Sequence, residues 1–151
     1  MKLGRVGAMA AAILAMATVA WAQKPDFSGT WTLDSASAPA AGSNTLGNGS
    51  ATVKQTADAL TIERTMGDAE VTLTYKLDGT PSRNTMLVRG QQADSLSTAT
   101  WDGARLTIVT KEETGGQISE STEVWAVDGS TLTVETTSAR GSQKRVYKKQ
   151  M

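Results

Sequence analysis

The chain has 151 residues, 39% of them apolar and 20% charged, with 15 basic side chains against 15 acidic ones, no histidine and no cysteine. Such a balance leaves no electrostatic footprint for nucleic acid and no polybasic patch for a membrane surface. Without histidine or cysteine, the usual zinc sites, cysteine nucleophiles, Ser–His triads, His-ligated haem and disulfides all drop out, so an enzyme would have to run on carboxylates, Lys, Tyr or Arg.

Residues 1–22 read as an export signal. Lys2 and Arg5 give a basic start, Ala8 to Ala20 a short apolar core, and Ala20-Trp21-Ala22 a small-x-small cleavage site. The mature chain is therefore expected to begin at Gln23. The apolar run is shorter than the ~20 residues of a membrane span, so an integral membrane protein is not expected. No twin-arginine pair is present, which favours the general secretory route to the periplasm or beyond. No cysteine is available for a lipoprotein anchor. Without Lys2 and Arg5, 13 basic side chains face 15 acidic ones. Residues 23–151 suit one domain, long enough to be held by its core.

The first strand is predicted over Phe27–Asp34. Ser35–Ser50 follows, rich in Ser, Ala, Gly and Asn, with a lone Leu46 and no helical spacing; it is either a mobile flap or a disordered insertion. Two strands follow, Ala51–Thr56 and Leu60–Thr65, then a turn at Gly67-Asp68 and the cleanest alternation of the chain, Glu70–Leu77. A weaker fifth strand falls within Asn84–Arg89. The sixth and seventh are Leu96–Trp101 and Ala104–Lys111, separated from the eighth, Ile118–Val127, by a polar loop at Glu112–Gly116. The ninth is Thr131–Ser138, and Arg140-Gly141 turns into the tenth, Gln143–Lys149.

The phrase Leu-Thr-(Ile/Val) recurs at Leu60, Leu106 and Leu132, each time just after a tight-turn signal. Asp-Gly between alternating segments is a strong hairpin signal. A two-residue turn at Asp102-Gly103 pairs Trp101 with Ala104 and puts Ala99, Trp101, Leu106 and Ile108 on one face. A turn at Asp128-Gly129 likewise groups Trp125, Val127, Leu132 and Val134. Before Asp78-Gly79, the residues Val71, Leu73, Tyr75 and Leu77 share a face. In each arm the residue just before the aspartate points inward. The threonines alternating with these positions suit a solvated strand surface. With ten strands running up and down, the turns at Asp58, Asp78, Asp102 and Asp128 gather at one end and the longer loops at the other. That describes an antiparallel meander closed into a β-barrel with a shut base and an open mouth.

The opening of the first strand, Phe27-Ser28-Gly29-Thr30-Trp31-Thr32-Leu33, resembles the Gly-x-Trp signature of the lipocalins and their calycin relatives, which include fatty-acid-binding proteins and avidins. The resemblance implies a lipocalin-like barrel of 8–10 strands over residues 23–151, like the small lipocalin-like domains of exported bacterial proteins. It implies that Gly29 and Trp31 form the signature and that Trp31 sits at the closed end, against a basic side chain of the last strand. Arg145 is favoured over Lys148, because a planar guanidinium stacks well on an indole. The chain departs from the pattern in three ways. It carries no helix after the barrel, it has the Ser35–Ser50 loop where fatty-acid-binding proteins place two helices, and it has no disulfide.

Tyr75, Trp101 and Trp125 point inward, where they either line an apolar pocket or fill the core. Arg89, if inward, would meet an anionic head group near the mouth, whereas Arg83 reads as a surface charge. The aspartates at 58, 78, 102 and 128 are explained by turn chemistry rather than by a cation site. Glu112, Glu113, Glu120 and Glu123, with the basic group Arg140, Lys144, Arg145, Lys148 and Lys149, read as solvated faces with cross-strand pairs. The expected function is binding of a small, largely apolar ligand inside the barrel, by a monomer with no cofactor, metal or catalytic residues. The alternative is a solid-cored barrel that binds a protein or envelope component as an inhibitor or scaffold.

Overall fold

The computed structural model describes residues 24–37, 45–88 and 90–151. The expected export signal, Arg89 and residues 38–44 of the long loop lie outside them. Ten strands form among the described residues: β1 (Gly29–Leu33), β2 (Ser50–Gln55), β3 (Ala59–Met66), β4 (Ala69–Lys76), β5 (Ser82–Val88), β6 (Gln91–Asp102), β7 (Arg105–Thr114), β8 (Gln117–Asp128), β9 (Thr131–Ser138) and β10 (Gly141–Lys149). All belong to one antiparallel sheet in the order β4-β3-β2-β1-β10-β9-β8-β7-β6-β5, curled into a nearly closed barrel. The uncertain fifth strand is real: it pairs with β6 from Ser82↔Ser97 to Val88↔Gln91. The sorting of turns between two ends therefore holds.

The register differs from the expectation by two residues. Asp102 pairs with Arg105 and Trp101 with Leu106; Asp128 pairs with Thr131 and Trp125 with Val134. The turn residues are thus Gly103-Ala104 and Gly129-Ser130. Each turn puts its glycine first, at φ near 60°, where the primed two-residue hairpin turns need positive φ, while the aspartate closes the strand. A shift of two leaves every side chain on its expected face, because strand side chains alternate with a period of two. The mouth is tighter than expected. The polar loop expected at Glu112–Gly116 is largely strand, as is the stretch from Gln91 to Asp94 before the sixth predicted strand, and Thr114 pairs directly with Gln117 across Gly115-Gly116.

The two sheet ends, β4 and β5, meet without strand pairing. Side chains join them instead. The Asn84 amide accepts from the Thr74 backbone N–H at 2.9 Å and donates to its carbonyl at 3.1 Å. Ser82 Oγ accepts from the Lys76 N–H at 2.7 Å. A side chain thereby supplies the two bonds that a neighbouring strand would otherwise make to Thr74.

The base is closed by an aromatic cluster under the leader, residues 24–28. Gln55 ties that leader down, accepting from the Phe27 N–H and donating to the Pro25 carbonyl. Phe27 stacks on Trp101 with centroids 5.9 Å apart and meets Trp125 edge-on at 5.6 Å. Pairs of this kind are worth about 0.5–1.5 kcal/mol beyond the area they bury. Trp31 is 1% exposed, and its indole N–H donates to the Phe27 carbonyl at 2.8 Å. The expected partner of Trp31 is corrected. The cation over its ring is Lys149, with Nζ 5.6 Å from the centroid, because Lys149 is the residue paired with Trp31 across β1 and β10. Arg145 lies four residues back along β10, in the interior.

Candidate functional site

The inward positions change character along the barrel. On β3 they run Leu60, Ile62, Arg64; on β7 Leu106, Ile108, Thr110, Glu112; on β8, from the base upward, Trp125, Glu123, Ser121. The floor is apolar and the upper half polar. There Arg145 and Glu123, both buried at 0% and 4% exposure, face each other with Arg145 Nη2 3.7 Å from Glu123 Oε1. Arg145 also donates to Thr136 Oγ1 at 2.7 Å and to the Tyr147 hydroxyl at 3.2 Å. Glu123, read from the sequence as part of a solvated face, is instead a core carboxylate. Arg64 and Glu112 flank the pair and are half-buried.

Residues 45–47 drop into this polar ring. Part of a segment expected to be a flap or an insertion, they are buried, with Leu46 2% exposed in the core. Both donors of Thr45 serve Glu123: its backbone N–H bonds Oε1 at 3.2 Å and its hydroxyl bonds Oε2. The Gly47 carbonyl accepts from the Tyr147 hydroxyl at 2.7 Å. Gly47, at φ +75°, has the Arg64 guanidinium against it, and a side-chain carbon there would stand 2.5 Å from Nη1. The space that remains, walled by Thr45, Leu73, Tyr75, Met86 and Glu123 among others, is about 30 Å³. That is room for little more than a water molecule.

Burial sets the titration of this ring. The Tyr75 phenol is pushed far above its usual range, first by burial and then by the negative charge of Glu123. Tyr147 is raised as well, chiefly by burial, with the Arg145 charge opposing. The Arg64 guanidinium is lowered by burial. A phenol whose folded pKa is raised stabilises the fold fully below its unfolded pKa of about 10, and that stability is lost as pH climbs through the folded value. The urea midpoint should therefore hold steady to about pH 10 and fall above it, and Tyr75→Phe should flatten the fall. A midpoint unchanged up to pH 11 would place these phenols in water.

Of the four residues expected to bind ligand, the structure brings only Tyr75 to the cavity wall. Trp125 is fully buried in the floor cluster, Trp101 is half-buried at its outer edge under Lys24, and Arg89 lies outside the described residues. Arg64, Thr45, Glu123 and Tyr147 were missed. Extending the inward parity two residues past Ile62 and Trp125, and along β10, would have found all but Thr45. The aspartate at 78 does act in its turn, accepting from the Thr80 backbone at 2.9 Å.

The barrel is similar to several solved structures. A secretory abundant heat soluble protein from Ramazzottius varieornatus matches with a TM-score of 0.57 at 15% identity, over 86% of this chain and 98% of that one. A mutant of the fluorescent protein UnaG matches with a TM-score of 0.53 at 17% identity, over 83% and 96%. Human cRBP IV matches with a TM-score of 0.52 at 20% identity, over 83% and 99%. At these identities the likenesses show the fold alone, a lipocalin-like antiparallel β-barrel. No family model matches the sequence, and no curated protein matches it.

Proposed function

We propose that this protein binds a small, largely apolar molecule inside its barrel and that residues 45–47 withdraw to admit it. The carrying observation is the cost of the interior as it stands. A barrel needing only stability would fill its upper half with apolar side chains. This one buries an ion pair there and leaves Arg64 Nε and Arg145 Nε, together with Trp125 Nε1 in the floor, without hydrogen-bond partners among the described residues. Each such group costs about 1–3 kcal/mol, and buried ion pairs rarely repay their desolvation. Polar groups kept at that cost, with the Glu123 carboxylate taking its hydrogen bonds from a connecting segment rather than from the sheet, suit a site whose occupant changes. The likeness to cRBP IV supports a binding barrel over an enzyme. The protein is read as exported, mature from Gln23 and monomeric; intact mass of the secreted form tests the cleavage.

Native mass spectrometry of the protein isolated from its own source tests the binding. The expected result is an added mass that organic extraction removes and that raises the urea midpoint when restored. A bare polypeptide, indifferent to an extract of that source, would leave the second reading: a solid-cored barrel acting through its surface. The filled interior favours that alternative, as do the exposed Leu87 and Ile118, at 69% and 74%.

A further inference from the structure

The contacts of Thr45–Gly47 are those of an internal surrogate, and from them we infer the head group the site is built for: a neutral amphiphile with two adjacent donors and a nearby carbonyl, of the glycerol-ester or acyl-amino-alcohol type. The inference rests on the binding reading above and specifies it. Thr45 offers an N–H and an O–H from neighbouring atoms, one to each oxygen of Glu123. Two residues on, the Gly47 carbonyl takes the Tyr147 hydrogen bond. Any ligand that displaces this segment must restore two donors to a buried carboxylate and one acceptor to a buried phenol, or leave them unpaired. A vicinal diol carries the two donors, and the ester carbonyl beside it supplies the acceptor.

The chemistry also argues against a simple anion. A ligand carboxylate brings no donor and would sit beside Glu123. Arg145, the cation facing Glu123, already donates to Thr136 and Tyr147 through its two Nη atoms, so Arg64 Nε and Arg145 Nε, without partners among the described residues, are the donors that a carboxylate would have to reach, and the dodecanoate probe tests them. Leu73 and Met86, lining the same space, offer the apolar contact for a tail, and withdrawal of the segment vacates the core position that Leu46 fills.

The test is calorimetric titration of the mature protein with three probes of one chain length: monododecanoylglycerol, dodecanoate and methyl dodecanoate. The glycerol ester should bind at least about tenfold tighter than either of the others, the worth of hydrogen bonds to a charged group. Glu123→Gln should narrow that gap by improving dodecanoate. Thr45→Val leaves the barrel wall intact and removes one of the surrogate's two donors, so it should tighten the glycerol ester several-fold. Dodecanoate binding best, or all three binding alike, would overturn the head-group assignment and leave the binding reading intact. No heat with any probe, together with no ligand on the source-purified protein, would defeat the binding reading itself.

Discussion

Replacing Trp31 with alanine is expected to cost the fold about 3–5 kcal/mol, the range for deleting a large aromatic side chain from a core. The residue is 1% exposed, and its indole N–H holds the Phe27 carbonyl. Phe27 in turn stacks on Trp101 and meets Trp125 edge-on, so losing the indole loosens the leader that closes the base. Against a total of about 5–15 kcal/mol, such a loss is a large share of the stability. Urea denaturation followed by far-UV circular dichroism measures it. A loss under about 1 kcal/mol would mean that the base is held by strand pairing alone and that the Gly-x-Trp element is incidental. Lys149→Ala, which removes only an exposed cation from the ring face, should stay within about 1 kcal/mol.

The second large effect belongs to Glu123. Changing it to alanine should destabilise the protein by about 3–5 kcal/mol, because a buried guanidinium then loses its counter-charge. Arg145 is 0% exposed and cannot turn to water, and both Thr45 donors lose their acceptor together. Glu123→Gln keeps an acceptor oxygen for Thr45 and should cost less. The diagnostic is the double variant. Combining Glu123→Leu with Arg145→Met removes both charges and should recover much of what either single change loses. Strictly additive losses would show that the two groups do not sense each other across 3.7 Å.

Much of the architecture was legible because the signals are local. Alternation set the strands, and turn residues set where the chain reverses. Tyr75, Trp125, Leu106 and Leu132 all sit inward as their parity demands. The slip of two residues at Gly103 and Gly129 did no harm for the same reason: only an odd shift changes the face. The polar loop expected at Glu112–Gly116 failed because polar residues also line the inward face of a strand near the mouth, as Glu112 does, and its solvated face, as Glu113 does. Glu112 and Glu113 pair with Ser119 and Ile118 inside the ladder.

The site was less legible, and the reason is geometric. Alternation tells which residues face inward, not which inward residues meet across the barrel. Arg145 was favoured for Trp31 because the tenth strand ends at the base and a planar guanidinium stacks well on an indole. The ladder pairs Trp31 with Lys149 instead and carries Arg145 up to Glu123. Thr45 reaches Glu123 over a separation of 78 residues, and no periodicity in a Ser- and Gly-rich stretch announces that contact.

By itself, then, the order of residues determined ten reversing segments, the side each side chain takes, and which turns share an end. Each of these follows from backbone geometry within a few residues. The way the sheet curls until Asn84 and Ser82 meet β4 was decided only in three dimensions. That closure fixes which strands stand opposite each other, and so brings Arg145, Glu123, Tyr147 and the 45–47 segment into one buried polar ring.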